Sequence, residues 1–377
     1  ALPVLAVNLV TAAGEGSLAF SQVQPNQKAL ETVTVLGDAA VDASAFVGAE
    51  EIWLAGSSGS TTVNAVAAGQ TIGFSSVTMA NTVNFASTVT SGSIATSGSA
   101  GTLSVKGNAM TTLALSGTGT ASTGLTITDA GTSATTGLDP IKTLNANTSG
   151  STVLNTEAIS ELTSFTQAGA GGVMLTPNSK LASVTTGAGA DTVLLKTATV
   201  ADTVGTTIDE TINASLTSGA GNDRLVVATT GTGKTTVDAG EGNDTVYLNT
   251  VGSGANTISM GAGDDVVRAE TVAALSTTKI DGGSGADTLR TSTTAFGATE
   301  YATLTANVSG FETLQLSGAV TALDASKVAF TTFDLRAESA VANTITEVSS
   351  SQNILLARTA PAAAVTGFSA IGAVAQA

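Results

Sequence analysis

The chain has 377 residues, no His, no Cys, and 13 basic against 29 acidic residues, which gives a formal net charge of −16. Without His and Cys, the Ser-His-Asp and Cys-His catalytic relays, His-ligated zinc and a disulfide framework are excluded. The negative charge repels nucleic acid and anionic membranes and suits a cation-binding chain. The apolar stretches Leu2–Val10 and Ala360–Ala364 are shorter than the roughly 18 residues that a transmembrane helix needs, so we expect no membrane span.

Short β-strands are predicted along nearly the whole chain. Thr, Val, Ile and Leu alternate with Ser, Gly and Asn, a period of two that turn formers interrupt every few residues. Helical periodicity is confined to Thr156–Thr163 and Thr271–Ser276. The sequence therefore predicts an all-β chain, and its recurring segments predict stacked copies of one unit.

A neutral part comes first. Residues 1–29 are predicted to form a leading strand or linker, and residues 30–180 a neutral β-solenoid rich in Thr and Ser. Between Ile52 and Thr128 the only charged residue is Lys106. Stacked Thr and Ser side chains can hydrogen-bond one another laterally, so such a part needs no charge to hold its coils together.

One segment near the start recurs near the end. The stretch Leu30–Ser44 matches Phe311–Ser326 with a difference of one residue in loop length. In both, an apolar residue is followed by Asp and Ala, at Asp42 and Asp324. Asx side chains bond neighbouring backbone and suit bends, so we predict that these two residues form corners of coils, with cation binding as the alternative.

The stretch from Gly187 to Asp287 is acidic, with thirteen acids against five bases. Five segments in it share the pattern Gly-x-Gly-x-Asp, followed two positions later by an apolar residue. The glycines and aspartates of the pattern are Gly187, Gly189 and Asp191; Gly219, Gly221 and Asp223; Gly240, Gly242 and Asp244; Gly261, Gly263 and Asp265; and Gly283, Gly285 and Asp287.

This pattern resembles the RTX nonapeptide, Gly-Gly-x-Gly-x-Asp-x-apolar-x, whose fold is a parallel β-roll that binds calcium. The glycines allow a tight bend, the Asp adds a hard anionic oxygen, and the apolar residue starts a strand into the core. Calcium takes about six to eight oxygens, so the resemblance implies several Ca²⁺ ions, each between one turn and the equivalent turn of the next coil. All residues of the pattern are candidate calcium-site residues.

The fold predicted for the whole chain is an elongated parallel β-solenoid or β-roll with calcium-binding RTX turns, flanked by further β-solenoid rungs. Residues 181–291 are predicted to form the calcium-binding β-roll. The resemblance implies that metal binding and folding of this part are one event.

The spacing of the last four aspartates, 21, 21 and 22 residues, predicts one Asp turn per coil. Halfway between lie two degenerate copies, Gly252–Ile258 with Asn256 and Gly231–Val237 with Thr235 at the position of the Asp. Neutral side chains remove the charge there, so we predict calcium along one edge of the roll and a metal-free edge opposite. A role as tight corners only is the alternative, but carboxylates stacked about 4.8 Å apart require neutralisation.

Asp191 does not fit this spacing, because it precedes Asp223 by 32 residues. Either residues 200–211 form an insertion and Asp191 stacks on Asp223, which we prefer, or Asp191 lies on the opposite edge. Asp202 is in phase, 21 residues before Asp223, but lacks the glycines.

The rest of the chain resembles the calcium-dependent bacterial surface-layer proteins that carry RTX turns. The match rests on Phe311-Glu312-Thr313-Leu314 after the last motif, on the Asp-Ala-Ser corners and on the Thr-rich composition. In that family, solenoid domains tile into a porous lattice outside the outer membrane, calcium drives assembly, and a type I system exports the chain.

This second resemblance implies a secreted protein on the bacterial cell surface. Its main partner would be itself, and cell-surface polysaccharide would bind through a region outside this chain. Residues 292–377 would then form C-terminal β-rungs and a cap or interface segment.

We therefore predict a structural, non-enzymatic protein that folds and self-assembles with calcium into a surface lattice. An RTX-type adhesin or biofilm matrix protein is the alternative, although neither longer tandem domains nor a discrete ligand module is visible. A carbohydrate-active β-helix enzyme is a weaker alternative, because it needs two acids about 5 to 9.5 Å apart in a cleft. The adjacent pairs Glu50-Glu51 and Asp209-Glu210 point to opposite faces of a strand, which argues against either pair.

Overall fold

A computed structural model of the chain describes residues 8–10, 32–36, 40–46, 48–56, 59–78, 80–129, 141–178, 180–197, 213–335 and 343–355. The chain divides into two units, Ala1–Lys196 and Thr197–Ala377. In both units the alternating sequence turns every second side chain inward, so that short strands stack in parallel around an aliphatic core.

The first unit is built from fifteen described strands and one short 3-10 helix, Ala43–Ala45. The strands are β1 (Asn8–Val10), β2 (Thr32–Leu36), β3 (Val41–Asp42), β4 (Glu51–Ala55), β5 (Thr62–Val66), β6 (Thr71–Ser75), β7 (Asn81–Phe85), β8 (Ser91–Lys106), β9 (Thr112–Asp129), β10 (Thr143–Thr148), β11 (Thr152–Asn155), β12 (Ser164–Gln167), β13 (Val173–Thr176), β14 (Ser183–Thr185) and β15 (Thr192–Thr197).

Two rows of parallel strands run through the first unit. One row joins β2, β4, β6, β8, β9, β10, β12 and β14. The other joins β3, β5, β7, β8, β9, β11, β13 and β15, because β8 and β9 are long enough to belong to both. Val33, Ile52, Ile72 and Ile94 lie in register across the first row and are buried, which makes the core continuous from coil to coil.

The second unit contains fourteen described strands, one α-helix and two 3-10 helices. The strands are β16 (Ala214–Thr217), β17 (Arg224–Thr229), β18 (Thr235–Asp238), β19 (Thr245–Thr250), β20 (Asn256–Ser259), β21 (Val266–Ala269), β22 (Thr278–Asp281), β23 (Thr288–Thr291), β24 (Val308–Ser309), β25 (Thr313–Leu316), β26 (Leu323–Asp324), β27 (Thr332–Asp334), β28 (Ile345–Thr346) and β29 (Asn353–Leu355). The helices are α1 (Ala298–Asn307) and the 3-10 segments Val272–Leu275 and Ala325–Lys327.

Its strands form two long parallel rows and one separate pair. One row joins β16, β18, β20, β22 and β24, the other joins β17, β19, β21, β23, β25, β27 and β29, and β26 pairs with β28. Leu225, Val246, Val267, Leu289 and Leu314 lie in register in the second row, and each is 0% exposed. The predicted parallel β-solenoid is thus confirmed in each unit.

The helical predictions were partly wrong. Thr271–Ser276 contains the 3-10 helix Val272–Leu275, whose start is capped by the Thr271 side chain, whereas Thr156–Thr163 contains no helix. In the described part of the chain the only α-helix is α1, and no helix there is long and apolar enough to cross a membrane. The Thr-rich sequence of α1 shows no clear helical pattern. The Glu300 carboxylate accepts the N–H of Gly297 at 2.8 Å and thereby stabilises the first turn of this helix.

The predicted Asp corners have one local structure. Asp42 accepts hydrogen bonds from the N–H and hydroxyl of Ser44, at 3.0 and 2.6 Å. Asp324 accepts the same two bonds from Ser326, at 3.1 and 2.6 Å, and forms an ion pair with Lys327 at 3.2 Å. These carboxylates cap 3-10 turns, which is the corner role that the repeated sequence predicts.

Candidate metal-binding turns

Four of the five predicted Gly-x-Gly-x-Asp segments lie in the second unit and form equivalent turns. They connect β16 to β17, β18 to β19, β20 to β21 and β22 to β23. The residue after each Asp pairs in register with its counterpart in the next coil. We call these the aspartate turns, and they contain Asp223, Asp244, Asp265 and Asp287 in successive coils.

Glycine is required in an aspartate turn for two reasons. Gly261 and Gly263 have φ angles of +103° and +137°, a region that other residues rarely adopt. A Cβ atom on Gly261 would lie 1.9 Å from the carbonyl oxygen of Gly240, and one on Gly263 would lie 2.1 Å from that of Gly242. Successive turns are therefore stacked backbone on backbone, with no room for side chains between them.

The aspartates form a hydrogen-bonded column. The N–H of Asp223 donates to Oδ1 of Asp244 at 2.7 Å, that of Asp244 to Asp265 at 2.7 Å, and that of Asp265 to Asp287 at 2.8 Å. All four residues are at most 3% exposed. One oxygen of each carboxylate from Asp244 onward therefore serves the backbone of the coil before it.

The other carboxylate oxygen of Asp244, Asp265 and Asp287 is buried and accepts no hydrogen bond within the protein. Burial is the largest cause that raises the pKa of Asp244 to about 7 and that of Asp265 to about 6, from the ordinary 3.8. Burial also raises the pKa of Asp287, as do the charges of Glu312, Asp264 and Asp281. A cation beside these oxygens would offset both the desolvation and the mutual repulsion.

Asn256 shows how the motif position of the Asp is satisfied by a neutral side chain. It ends the degenerate turn Gly252–Asn256, and its Oδ1 accepts the N–H of Thr235 at 2.9 Å. Its Nδ2 donates to the carbonyl oxygen of Gly252 at 2.7 Å. An Asp at the equivalent position has an oxygen in place of this amide nitrogen, so carboxylate and carbonyl need a cation to bridge them.

The available donor set fits calcium. In the described ranges, no three side chains of His, Cys, Asp or Glu converge to hold a metal. An aspartate turn contributes one buried carboxylate, so an ion would take its other oxygens from the closely stacked backbone carbonyls. Carboxylate and carbonyl oxygens in flexible geometry are the ligands that calcium accepts.

One segment of the chain matches a known repeat family. Residues 229–267, which include Asp244, Asn256 and Asp265, match the family model described as RTX calcium-binding nonapeptide repeat (4 copies). The chain carries RTX-type calcium-binding repeats. The RTX resemblance seen in the sequence is thereby confirmed, and such repeats are typical of secreted proteins. Comparisons with curated proteins and with solved structures gave no match.

The fifth RTX-like motif lies in the first unit and ends at Asp191. Oδ1 of Asp191 accepts the N–H of Val173 in the preceding coil at 2.6 Å, and the residue is 1% exposed. Burial is the largest cause that raises its pKa. Gly189 has a φ of +133°. Its local geometry thus resembles that of the RTX turns; whether it stacks on Asp223 or lies on the opposite edge stays a prediction, and Asp202 lies outside the described residues.

A further member of the column is not part of the Gly-x-Gly-x-Asp pattern. The N–H of Asp287 donates to Oε2 of Glu312 at 2.7 Å, so Glu312 does for Asp287 what Asp287 does for Asp265. It lies 25 residues after Asp287, beyond the period of 21 to 22, and only Gly310 precedes it as a turn glycine. In the sequence, the Phe311-Glu312 segment carries a family resemblance, but that resemblance contains no signal for this role.

A second ladder of hydrogen bonds runs along the exposed side of the aspartate turns. Oδ1 of Asn222 accepts the N–H of Asn243 at 2.8 Å, Asn243 accepts that of Asp264 at 2.9 Å, and Asp264 accepts that of Ala286 at 2.9 Å. Its bonds run from later to earlier coils, opposite to those of the aspartate column. The sequence signal for this ladder is the residue just before the Asp of each turn. It is Asn in the first two turns, Asp in the third and Ala in the fourth.

Proposed function

We propose that this chain is an extracellular structural protein whose RTX turns fold around calcium and which assembles with further copies into a lattice on the bacterial cell surface. RTX repeats are typically structural or adhesin-like rather than enzymatic, which supports a non-enzymatic role. The resemblance of Phe311–Leu314 to surface-layer proteins supports the lattice. Cell-surface polysaccharide would be bound through a region outside this chain.

The observation that carries this proposal is the column of buried aspartates. Asp244, Asp265 and Asp287 each present an oxygen that is buried and unbonded, directly above one another along consecutive coils. In the absence of cations this arrangement opposes folding, because ionised carboxylates would be desolvated and would repel one another. With calcium bound, the same arrangement holds successive coils together, so the ion becomes a condition of the fold.

Such coupling suits a protein that leaves the cell before it folds. Extracellular calcium modules work at about 10⁻⁴ to 10⁻³ M, well above the calcium concentration of a cytosol. The chain would therefore stay unfolded at the RTX turns inside the cell, pass through a type I export system, and fold where calcium is abundant.

Electron microscopy of the purified chain with and without calcium tests the lattice. We expect ordered sheets with calcium and none after chelation. The double variant Asp244→Asn/Asp265→Asn should form no sheets at the calcium concentration at which the wild type does, because its turns lose their anionic ligands.

The matched control is Asp264→Asn. It makes the same chemical change one residue from Asp265, at an exposed position where the two preceding coils already carry Asn222 and Asn243. This variant should assemble like the wild type. Monodisperse particles of wild-type chain at saturating calcium would contradict the lattice and favour an adhesin or matrix protein, and sheets that form equally well in chelator would contradict the role of calcium.

A further inference from the structure

The aspartate column does not end at the last RTX motif. The residue after Asp287, Thr288, pairs in register with Thr313, so Glu312 occupies in the next coil the position that an Asp holds in each coil before. Glu312 also makes the bond that defines the column, because its Oε2 accepts the N–H of Asp287 at 2.7 Å. A longer acidic side chain thus takes the place of the aspartate where the motif itself stops.

The glycines at this end of the column leave space for oxygens. A Cβ atom on Gly282 would lie 2.0 Å from the carbonyl oxygen of Gly310 and 2.8 Å from Oδ2 of Asp287. Gly282 is buried, and its φ is outside the left-handed region, so close approach rather than backbone conformation demands glycine here. The Asp287 oxygen aimed at this spot is buried and accepts no hydrogen bond, in a residue that is 0% exposed.

This explains a departure among the five motifs. The first glycine of the complete Gly-Gly-x-Gly-x-Asp pattern is present only at Gly282, whereas the other four motifs have Thr186, Ser218, Ala239 and Met260 there. A side chain at Gly282 would meet both a carbonyl oxygen of the following coil and a carboxylate oxygen that accepts no hydrogen bond. This first glycine is thus present at the motif whose Asp287 bonds to Glu312.

A hydrogen bond alone does not require a carboxylate at this position. Neutral amides accept the equivalent bond elsewhere, since Asn256 accepts the N–H of Thr235 at 2.9 Å and Gln167 that of Thr148 at 3.4 Å. Both amides also donate their NH₂ groups to backbone carbonyls, at 2.7 Å to Gly252 and 3.0 Å to Gly171. A glutamate in this role adds a negative charge beside Asp287 and supplies no donor, so the charge needs a separate explanation.

We propose that a terminal calcium ion binds between the last RTX turn and the following coil, held by the carboxylates of Asp287 and Glu312 and the carbonyl oxygen of Gly310. This inference rests on the calcium-binding role proposed above and extends it by one site that the Gly-x-Gly-x-Asp pattern does not contain. The site closes the column at the end nearer the C-terminus. It ties the RTX turns to β25, which begins directly after Glu312.

Counting bound ions tests this terminal site. The chain would be dialysed to equilibrium against buffers of known free calcium, and the bound calcium measured by atomic emission. We expect Glu312→Gln to bind one ion fewer than the wild type. It should still accept the N–H of Asp287, just as Gln167 accepts the N–H of Thr148 in the preceding coil, so the fold is retained. The matched control Glu270→Gln, an exposed acid of the same unit, should bind as many ions as the wild type.

The outcomes separate the two proposals. Equal ion numbers and equal affinities for the wild type and Glu312→Gln would overturn the terminal site and leave the RTX sites intact. A wild type that binds no calcium would overturn both. If Glu312→Gln does not fold, a crystal structure of the wild type with calcium decides: anomalous density at Gly282 and Glu312 supports the site, and its absence while the aspartate turns are occupied overturns it.

Discussion

At the scale of single residues, one atom separates a satisfied turn from one that needs a cation. Asn256 and Asp265 occupy equivalent places in their motifs, and the Oδ1 of each accepts the N–H of the coil before. The second terminal atom is an amide nitrogen that donates to a carbonyl in Asn256, and a buried oxygen without a bond in Asp265. On the calcium-binding role proposed above, the choice between Asn and Asp would decide which turns of this fold respond to calcium.

The buried aspartates predict an unusual dependence of stability on pH when calcium is absent. Their pKa values in the folded chain, about 7 for Asp244 and about 6 for Asp265, are raised above the 3.8 to 3.9 of an exposed Asp. Between about pH 4 and pH 7 the unfolded state therefore binds fewer protons than the folded state, so the free energy of unfolding falls as pH rises. We expect the melting temperature in calcium-free buffer to be lower at pH 8 than at pH 4.5.

Calcium should remove or reverse this trend, because it stabilises the ionised carboxylates. Calorimetry at both pH values, with and without calcium, measures the difference. The net charge of −16 also destabilises the folded chain at high pH. The variant Asp244→Asn/Asp265→Asn isolates the local effect, since it should lose the part of the pH dependence that comes from these two carboxylates. A calcium-free melting temperature that is constant or rises with pH would show that these carboxylates are not buried as described.

The residues of the aspartate turns could be found from the sequence because they lie close together in the chain. Each aspartate turn carries its glycines and its Asp within five residues, so one motif contains both the bend and the carboxylate that we propose as a ligand. Glu312 could not be found in this way, because its place beside Asp287 depends on the length of the intervening segment, which includes α1. A side chain that is positioned by the register of neighbouring coils leaves no short pattern in the sequence.

At the scale of elements, the outer faces of the strands carry their own stacked contacts. In the second unit the ring of Tyr247 in β19 lies between two guanidinium groups, with Arg224 of β17 at 4.2 Å and Arg268 of β21 at 4.9 Å from its centroid. Tyr247 and Arg268 pair in register. Three consecutive coils are thus linked on the solvent side by two cation–π contacts, opposite the aliphatic core.

We expect Tyr247→Leu to lower the free energy of unfolding by about 1 to 2 kcal/mol at saturating calcium, since both contacts are lost. Tyr247→Phe is the matched control, because it keeps the ring and should stay within about 0.5 kcal/mol of the wild type. Urea unfolding followed by circular dichroism measures both variants. An equal loss in the two variants would show that the hydroxyl, and not the ring between the arginines, stabilises this face.

The strands themselves were predictable, and their lengths were not. Alternation of apolar and polar residues predicts strands such as β4 and β6, whose inward residues Ile52 and Ile72 pair in the core. The same alternation gives no stopping point within β8 and β9, which extend over 16 and 18 residues and join two rows. The sequence does not predict helix α1, because the Thr and Ala residues that form it also occur in the strands of this chain.

At the scale of the whole chain, the negative charge is concentrated in one part of the sequence. Thirteen acids fall between Gly187 and Asp287, and Asp223, Asp244, Asp265 and Asp287 among them form one buried column. The constant spacing of 21 to 22 residues made this column predictable, since a fixed period means that the same position recurs in each coil. A charge that in an ordinary protein maintains solubility is here concentrated where calcium would neutralise it.

Removing calcium should therefore act on part of the chain only. At free calcium about ten times Kd, each site adds about 1.4 kcal/mol, so three ions add roughly 4 kcal/mol, close to the stability of a small domain. In a solenoid each coil contacts only its neighbours, so this loss falls mainly on the coils that bind the ions. The two Tyr residues, Tyr247 and Tyr301, lie in the second unit with the RTX turns, and the single Trp, Trp53, lies in the first.

Chelation should consequently shift the thermal transition seen by tyrosine to lower temperature and leave that of tryptophan nearly unchanged. Tyr fluorescence would be recorded in the variant Trp53→Phe to avoid energy transfer, and Trp53 emission in the wild type. The variant Asp244→Asn/Asp265→Asn should show the low tyrosine transition even with calcium, because its turns lack the ligands. Transitions of both probes that coincide and shift together with calcium would mean that the ions stabilise the chain as one cooperative body, and the local picture of their action would be wrong.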